Sequence, residues 1–103
     1  MTGVQTCALP IYKFNTVTQL FTFAMQHGMI WAGLGLMPGN NTSKGSNSDL
    51  NRLGGFSGAL TQSNNDQGAE AIPASDLKTA EALGARVAAV ALRLAREQES
   101  VAA

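Results

Sequence analysis

The sequence predicts part of an α/β domain built on a parallel sheet that this chain cannot complete by itself. Three observations support the prediction. Apolar residues recur at helical spacing from Asn15 to His27, a short apolar segment follows from Met29 to Leu34, and a second helical pattern runs from Ser75 to about Arg96. A helix that leads directly into a buried strand is half of a βαβ unit.

The first predicted helix begins at Asn15, because asparagine caps helix N-termini well. We expect it to end at Gly28, where glycine supplies the left-handed residue that stops a helix. Its apolar residues form one stripe, which indicates that one face of the helix is buried. The stripe comprises Val17, Leu20, Phe21, Ala24 and Met25.

The segment from Met29 to Leu34 is apolar throughout and ends in glycines, as expected for a strand buried on both faces of a parallel sheet. This chain offers that strand no parallel neighbour. Its N–H and C=O groups would then lack partners, and buried groups without partners are costly. We therefore expect either missing sequence or another chain to complete the sheet.

Residues 35–74 are rich in Gly, Asn and Ser, the residue types of turns. Loops of this length are usually functional or disordered. We favour an ordered binding or assembly loop, because it carries apolar side chains that it could bury: Leu50, Leu53, Phe56 and Leu60. After the loop, Ser75 is predicted to cap the second helix, with Asp76 at the positive end of its dipole.

The segment from Met1 to Ile11 shows neither helical nor strand periodicity. Residues 2–11 resemble the conceptual translation of a sequencing-adaptor oligonucleotide. We therefore divide the chain into an artefactual tail, residues 1–12, and a natural part, residues 13–103, which would be the C-terminal half of a domain. An ordinary flexible N-terminus is the alternative.

Composition excludes several classes of protein. Seven Lys and Arg balance seven Asp and Glu, so no basic surplus is present to bind nucleic acid. The longest uncharged apolar run, Met29 to Met37, is far shorter than the roughly 20 residues of a membrane span. One Cys and one His exclude an ordinary zinc site, so no metal is expected. With no signal peptide visible either, we expect a cytoplasmic protein.

Motifs in the chain do not identify catalytic residues. The glycines of Gly33 to Gly39 have the wrong spacing for a dinucleotide-binding loop, and no helix follows them directly. With a single His, the sequence gives no pattern that indicates a Ser/His/Asp catalytic triad. Two interpretations are open for Gln26 and His27 at the end of the first helix. His27 interacts with the helix dipole, or the two residues form a polar pair directed into a cleft.

The stretch Asn15–Leu34 resembles the flavodoxin-like NAD(P)H:quinone oxidoreductases, and most closely their tryptophan-repressor-binding-protein-like branch. Further segments are similar to the long loop and the last helix of that branch, and the resemblance covers roughly residues 13–94. These segments are Met37–Asn41, Asp49–Leu53, Phe56–Asn64 and Pro73–Gly84.

The resemblance implies a flavodoxin-like doubly wound parallel sheet that binds FMN, of which this chain would hold helix, strand, long loop and helix. Proteins of this family typically form homo-tetramers and pass electrons from NAD(P)H through FMN to a quinone. The phosphate-binding loop of the family would lie upstream, so the fragment alone is expected to lack both cofactor and activity. The alternatives are an FMN-binding electron-transfer or interaction module, and a truncated chain with no activity of its own.

The resemblance also implies two candidate cofactor-binding residues. In the family, the end of the fourth helix places a polar side chain, often His, near the flavin. That position falls on Gln26 or His27, and we favour Gln26. A glutamine there puts any acid–base role in doubt, but it leaves hydrogen bonding to flavin or substrate open.

Overall fold

The computed structural model describes the backbone of residues 2–102 and the side chains of residues 13–97. Two long helices dominate: α1 (Thr2–Gln26) and α2 (Ala74–Ala102). The segment between them is irregular apart from a single 3₁₀ turn, Ala69–Ala71. The chain divides into two compact units, Met1–Trp31 and Ala32–Ala103, each of which is described by itself.

The predicted flavodoxin-like doubly wound parallel sheet is wrong for this chain, because the described residues contain no strand. Met29 to Leu34 is irregular, and Ile30 is 72% exposed rather than buried on both faces. The physical reason is that a strand forms only when its backbone hydrogen-bonds to a neighbouring strand, and the sequence offers none. The Leu34 amide donates to the Phe56 carbonyl oxygen at 3.0 Å, which is one hydrogen bond and not a ladder.

Helix α1 starts well before Asn15, so the predicted cap at Asn15 is wrong and that residue lies inside the helix. The predicted end is confirmed: Gly28 has a φ of 68°. The Gly28 amide donates to the Met25 carbonyl oxygen and the Met29 amide to that of Ala24, which is a Schellman motif. The side chains of residues 1–12 lie outside the described part, so the division of the chain at residue 12 stays a prediction.

The predicted apolar stripe of α1 is largely exposed. Ala24 is buried, but Leu20 is 55% exposed and Phe21 and Met25 are each 41% exposed. The predicted helix is confirmed. Burial of its apolar stripe would require a packing surface that this unit does not supply.

Helix α2 begins at Ala74, so Ser75 lies in its first turn and is not the cap that the sequence predicts. The amides of Asp76 and Leu77 both donate to the Pro73 carbonyl oxygen. In the second unit, Leu34 is the buried apolar side chain among the described residues. The larger buried group is polar, and it comprises Asn51, Ser75, Asp76 and Thr79.

The loop before α2 folds back on itself through hydrogen bonds. The Gly39 amide donates to the Leu50 carbonyl oxygen at 3.0 Å, and the Asn51 side-chain amide donates to that of Leu36 at 2.8 Å. Of the apolar residues expected to hold the loop, Phe56 is 60% exposed and Leu50 is 37% exposed. Leu53 and Leu60 are half-buried, so the loop is ordered by polar contacts together with these two side chains.

Asn51 is the turning point of the loop. It is 3% exposed and has a φ of 53°, in the left-handed region that asparagine tolerates better than most residues. Its Oδ1 accepts from the Gly55 amide at 2.9 Å, and its own amide donates to Thr79 Oγ1 at 2.9 Å. One residue thus fixes the loop and connects it to α2.

We expect Asn51→Ala to open the loop more than Asn51→Gly. Both variants lose the side-chain hydrogen bonds, which costs about 1–3 kcal/mol for each buried group left unsatisfied. Alanine adds about 1 kcal/mol of left-handed backbone strain that glycine avoids. Hydrogen exchange of the Leu34 and Gly39 amides measures the opening. Wild-type exchange rates in both variants would contradict this role for Asn51.

Candidate functional site

Gln26 and His27 lie side by side at the end of α1, and both side chains are exposed. His27 Nδ1 is 3.0 Å from the Phe23 carbonyl oxygen. Because a carbonyl oxygen only accepts, Nδ1 is the donor in this contact, and Nε2 is the acceptor of the neutral ring. The structure therefore brings the two predicted site residues together with an amide and an imidazole nitrogen that a ligand could approach.

Aromatic contacts hold this corner of the first unit. The His27 ring lies against the Phe23 ring, with centroids 4.3 Å apart. Phe21 and Trp31 pack edge to face at 5.4 Å, which joins the helix to the segment that follows it.

The second unit is organised around the carboxylate of Asp76, in the first turn of α2. Arg52 Nε donates to Asp76 Oδ1 at 2.8 Å and Arg52 Nη2 to Asp76 Oδ2 at 2.7 Å. This is a bidentate ion pair, the strong geometry for arginine and carboxylate. The exposed fraction is 2% for the Asp76 side chain and 13% for that of Arg52, so water screens the pair only weakly.

Two further donors reach the same carboxylate. Thr61 Oγ1 and the Gln62 amide each donate to Asp76 Oδ2 at 3.1 Å. Arg52 Nη2 in turn donates to the Gln62 carbonyl oxygen at 3.3 Å. A single carboxylate therefore connects three positions of the loop to the start of α2.

A second chain of hydrogen bonds runs beside the ion pair. Ser75 Oγ donates to the Asn47 carbonyl oxygen at 2.8 Å, and Thr79 Oγ1 donates to the Ser75 carbonyl oxygen at 2.7 Å. No buried side-chain nitrogen or oxygen in the described part of the chain lacks a partner. The network is closed, so its members serve the fold and are not directed toward a ligand.

Two opposing effects set the pKa of Asp76. Burial by itself raises the pKa, but the hydrogen bond and charge of Arg52, the Gln62 amide and the Thr61 hydroxyl lower it by more. The net result is a pKa below the ordinary value of 3.8. Asp76 is therefore an ionised structural group at neutral pH.

Local sequence patterns do not reveal this network. They assign Asp76 to the helix dipole and single out neither Asn51, Arg52 nor Thr79. Arg52 and Asp76 are separated by 24 positions, so no local spacing connects them. The available signal was an arginine in a loop otherwise dominated by uncharged polar residues.

The described residues contain no group of three metal-ligating side chains that could hold an ion. In that same part of the chain, neither helix combines the length and the hydropathy needed to cross a membrane.

Comparison with known proteins supports a flavodoxin-like family. The chain is similar to Flavodoxin FldP of Pseudomonas aeruginosa (strain UCBPP-PA14), with 49% identity over 75 residues. The match covers 73% of this chain but only 40% of that relative, so the chain spans well under half of the relative's length. No family model matches the chain, and no solved structure matches it. The similarity to this flavodoxin does not show membership of the narrower NAD(P)H:quinone oxidoreductase branch.

Acid should release the loop from α2 through Asp76. Because the pKa of the folded state is lowered, the carboxylate stabilises the fold above pH 3.8, and this contribution disappears as pH falls through the lower folded pKa. An NMR titration of the Asp76 carboxyl and the Gln62 amide should follow the release.

Two variants serve as controls for the acid transition. Asp76→Asn should remove it and leave the loop loosened at every pH. Asp66→Asn, at an exposed acid of the same loop, should leave the transition in place. An unchanged transition in Asp76→Asn would assign it to other carboxylates.

Proposed function

We propose that this chain is part of a flavodoxin-like protein that binds FMN and transfers electrons. The observation that carries the proposal is the 49% identity to Flavodoxin FldP over most of this chain. Because the chain spans 40% of that relative, the activity belongs to a longer protein in which these residues supply part of the site.

Two exposed polar side chains of this chain fit the flavin ring of FMN. The exposed Gln26 amide and the open Nε2 of His27 can exchange hydrogen bonds with the polar edge of a flavin ring. Arg52 does not fit the phosphate, because Asp76 already holds its guanidinium. When bound, FMN supplies the electron-accepting chemistry, and the protein contributes position and electrostatics.

A second candidate is the narrower activity, transfer of electrons from NAD(P)H to a quinone by a homo-tetramer. It is supported by the resemblance of Asn15–Leu34 and the long loop to the quinone-reducing branch. The two candidates share FMN and differ in whether the protein accepts electrons directly from a nicotinamide.

A chimera tests both candidates. Residues 13–94 replace the corresponding segment of Flavodoxin FldP, so that the chain's own residues are examined within a complete protein. We expect the chimera to retain FMN, as measured by flavin absorbance after purification and by fluorescence titration. NAD(P)H oxidation that depends on added quinone would favour the second candidate. A folded chimera that binds no FMN would contradict the proposal.

Within the chimera, Gln26→Ala should affect the flavin more than His27→Ala. Loss of the Gln26 amide leaves a polar partner unsatisfied, which should weaken FMN binding or slow electron transfer by about 1–3 kcal/mol. His27→Ala removes the contacts to Phe23 and should chiefly lower stability. FMN titration and thermal melting measure the two effects.

Gln19→Ala is the matched control, since Gln19 is an exposed glutamine elsewhere on α1. It should change neither FMN affinity nor the melting temperature. If His27→Ala weakens FMN at an unchanged melting temperature while Gln26→Ala behaves as wild type, the assignment of the two residues is reversed.

A further inference from the structure

Arg86, on the exposed surface of α2, is held in a defined orientation by the loop. Its Nε donates to the Gly33 carbonyl oxygen at 3.0 Å. Gly35, with a φ of 75°, lies directly beneath the guanidinium. A Cβ at position 35 would lie 2.7 Å from Arg86 Nη1 and 2.8 Å from its Cζ. The glycine therefore lets the planar group approach the backbone closely.

The charge of Arg86 is not neutralised within the described residues. The salt bridge found there joins Arg52 to Asp76, and no carboxylate oxygen comes within 4.0 Å of Arg86. The residues three and four positions away on α2, where an ion-pair partner would lie, are all apolar. They are Ala82, Leu83, Ala89 and Val90.

One hydrogen bond thus orients the guanidinium and leaves the rest of its donors available. Gly33 engages Nε, while Nη1 and Nη2 carry no hydrogen bond within the described part of the chain. Two parallel N–H donors on a planar cation match the oxygens of a phosphate group. Because the Gly33 contact fixes the group in advance, less conformational entropy is lost when a ligand binds.

We propose that Arg86, positioned by Gly33 and Gly35, is a binding site for a phosphate group. The group could belong to free phosphate or to a phosphate monoester, and both present the same oxygens. The site lies within the second unit and does not depend on the proposed FMN function.

The test is an NMR titration of the arginine Nε–H signals in the full chain. Inorganic phosphate and glycerol phosphate are added separately, with chloride keeping the ionic strength constant so that screening does not change. The Arg86 signal should shift and saturate. Arg93, an exposed arginine on the same helix, should show no saturation and serves as the internal control. Saturation with both ligands indicates a monoester site, and saturation with inorganic phosphate alone indicates a free-phosphate site.

Variants separate orientation from charge. Arg86→Lys keeps the charge but loses the paired donors, and phosphate should bind about tenfold more weakly, as followed in all variants by the backbone amide signal of position 35. Gly35→Ala keeps Arg86 but displaces its guanidinium, so the saturable shift should disappear. Arg93→Gln should bind phosphate as the wild type does.

The Gln62 amide signal, which reports the contact with Asp76, shows whether each variant is folded. If Gly35→Ala disturbs that signal, the phosphate affinities of Arg86→Lys and Arg93→Gln still show whether Arg86 binds phosphate. Equal responses of Arg86 and Arg93 in the wild type, or unchanged affinity in Arg86→Lys, would overturn the proposal.

Discussion

The structure of the second unit depends on one buried ion pair. Asp76 receives Arg52 in bidentate geometry and two further donors, so one turn of α2 fixes three places in the loop. A buried ion pair does not by itself guarantee stability, since desolvation offsets much of the attraction. Here the carboxylate accepts four hydrogen bonds, one at Oδ1 and three at Oδ2, and these offset part of the desolvation cost. Removal of any one donor would leave the buried Asp76 carboxylate with fewer hydrogen bonds and no water to replace the missing one.

A polar core gives this loop a definite shape where an apolar core is missing. Hydrogen bonds are directional, so Asn51, Thr79 and Ser75 specify positions more narrowly than loose apolar contacts do. Asn51 adds a backbone conformation that few residues adopt, together with hydrogen bonds to Leu36 and Gly55. The loop is consequently ordered without a sheet, and Phe56 is left at the surface while Leu53 and Leu60 are half-buried.

Features set by nearby residues could be predicted from the sequence, and features set by distant ones could not. The end of α1 at Gly28 and the second helix followed from local signals. The strand at Met29–Leu34 did not form, because pairing partners and not composition create a strand. Asn15 illustrates the limit of cap signals, since a residue that can begin a helix can also lie inside one. Gln26 and His27 are adjacent in the sequence and stay a predicted pair, whereas the Arg52–Asp76 pair joins positions 24 residues apart.

The exposed apolar side chains limit what these residues could contribute to the proposed flavin site. Composition is 45% hydrophobic, yet Ala24 and Leu34 are the buried apolar residues of the described part. Flavin chemistry needs a water-shielded site, because electrostatic control of the ring is stronger at low dielectric. Gln26 and His27 are both exposed here, so they can supply hydrogen bonds but not shielding. Under the proposed function, the shielding would come from residues outside this set, and the chain matches 40% of a flavodoxin.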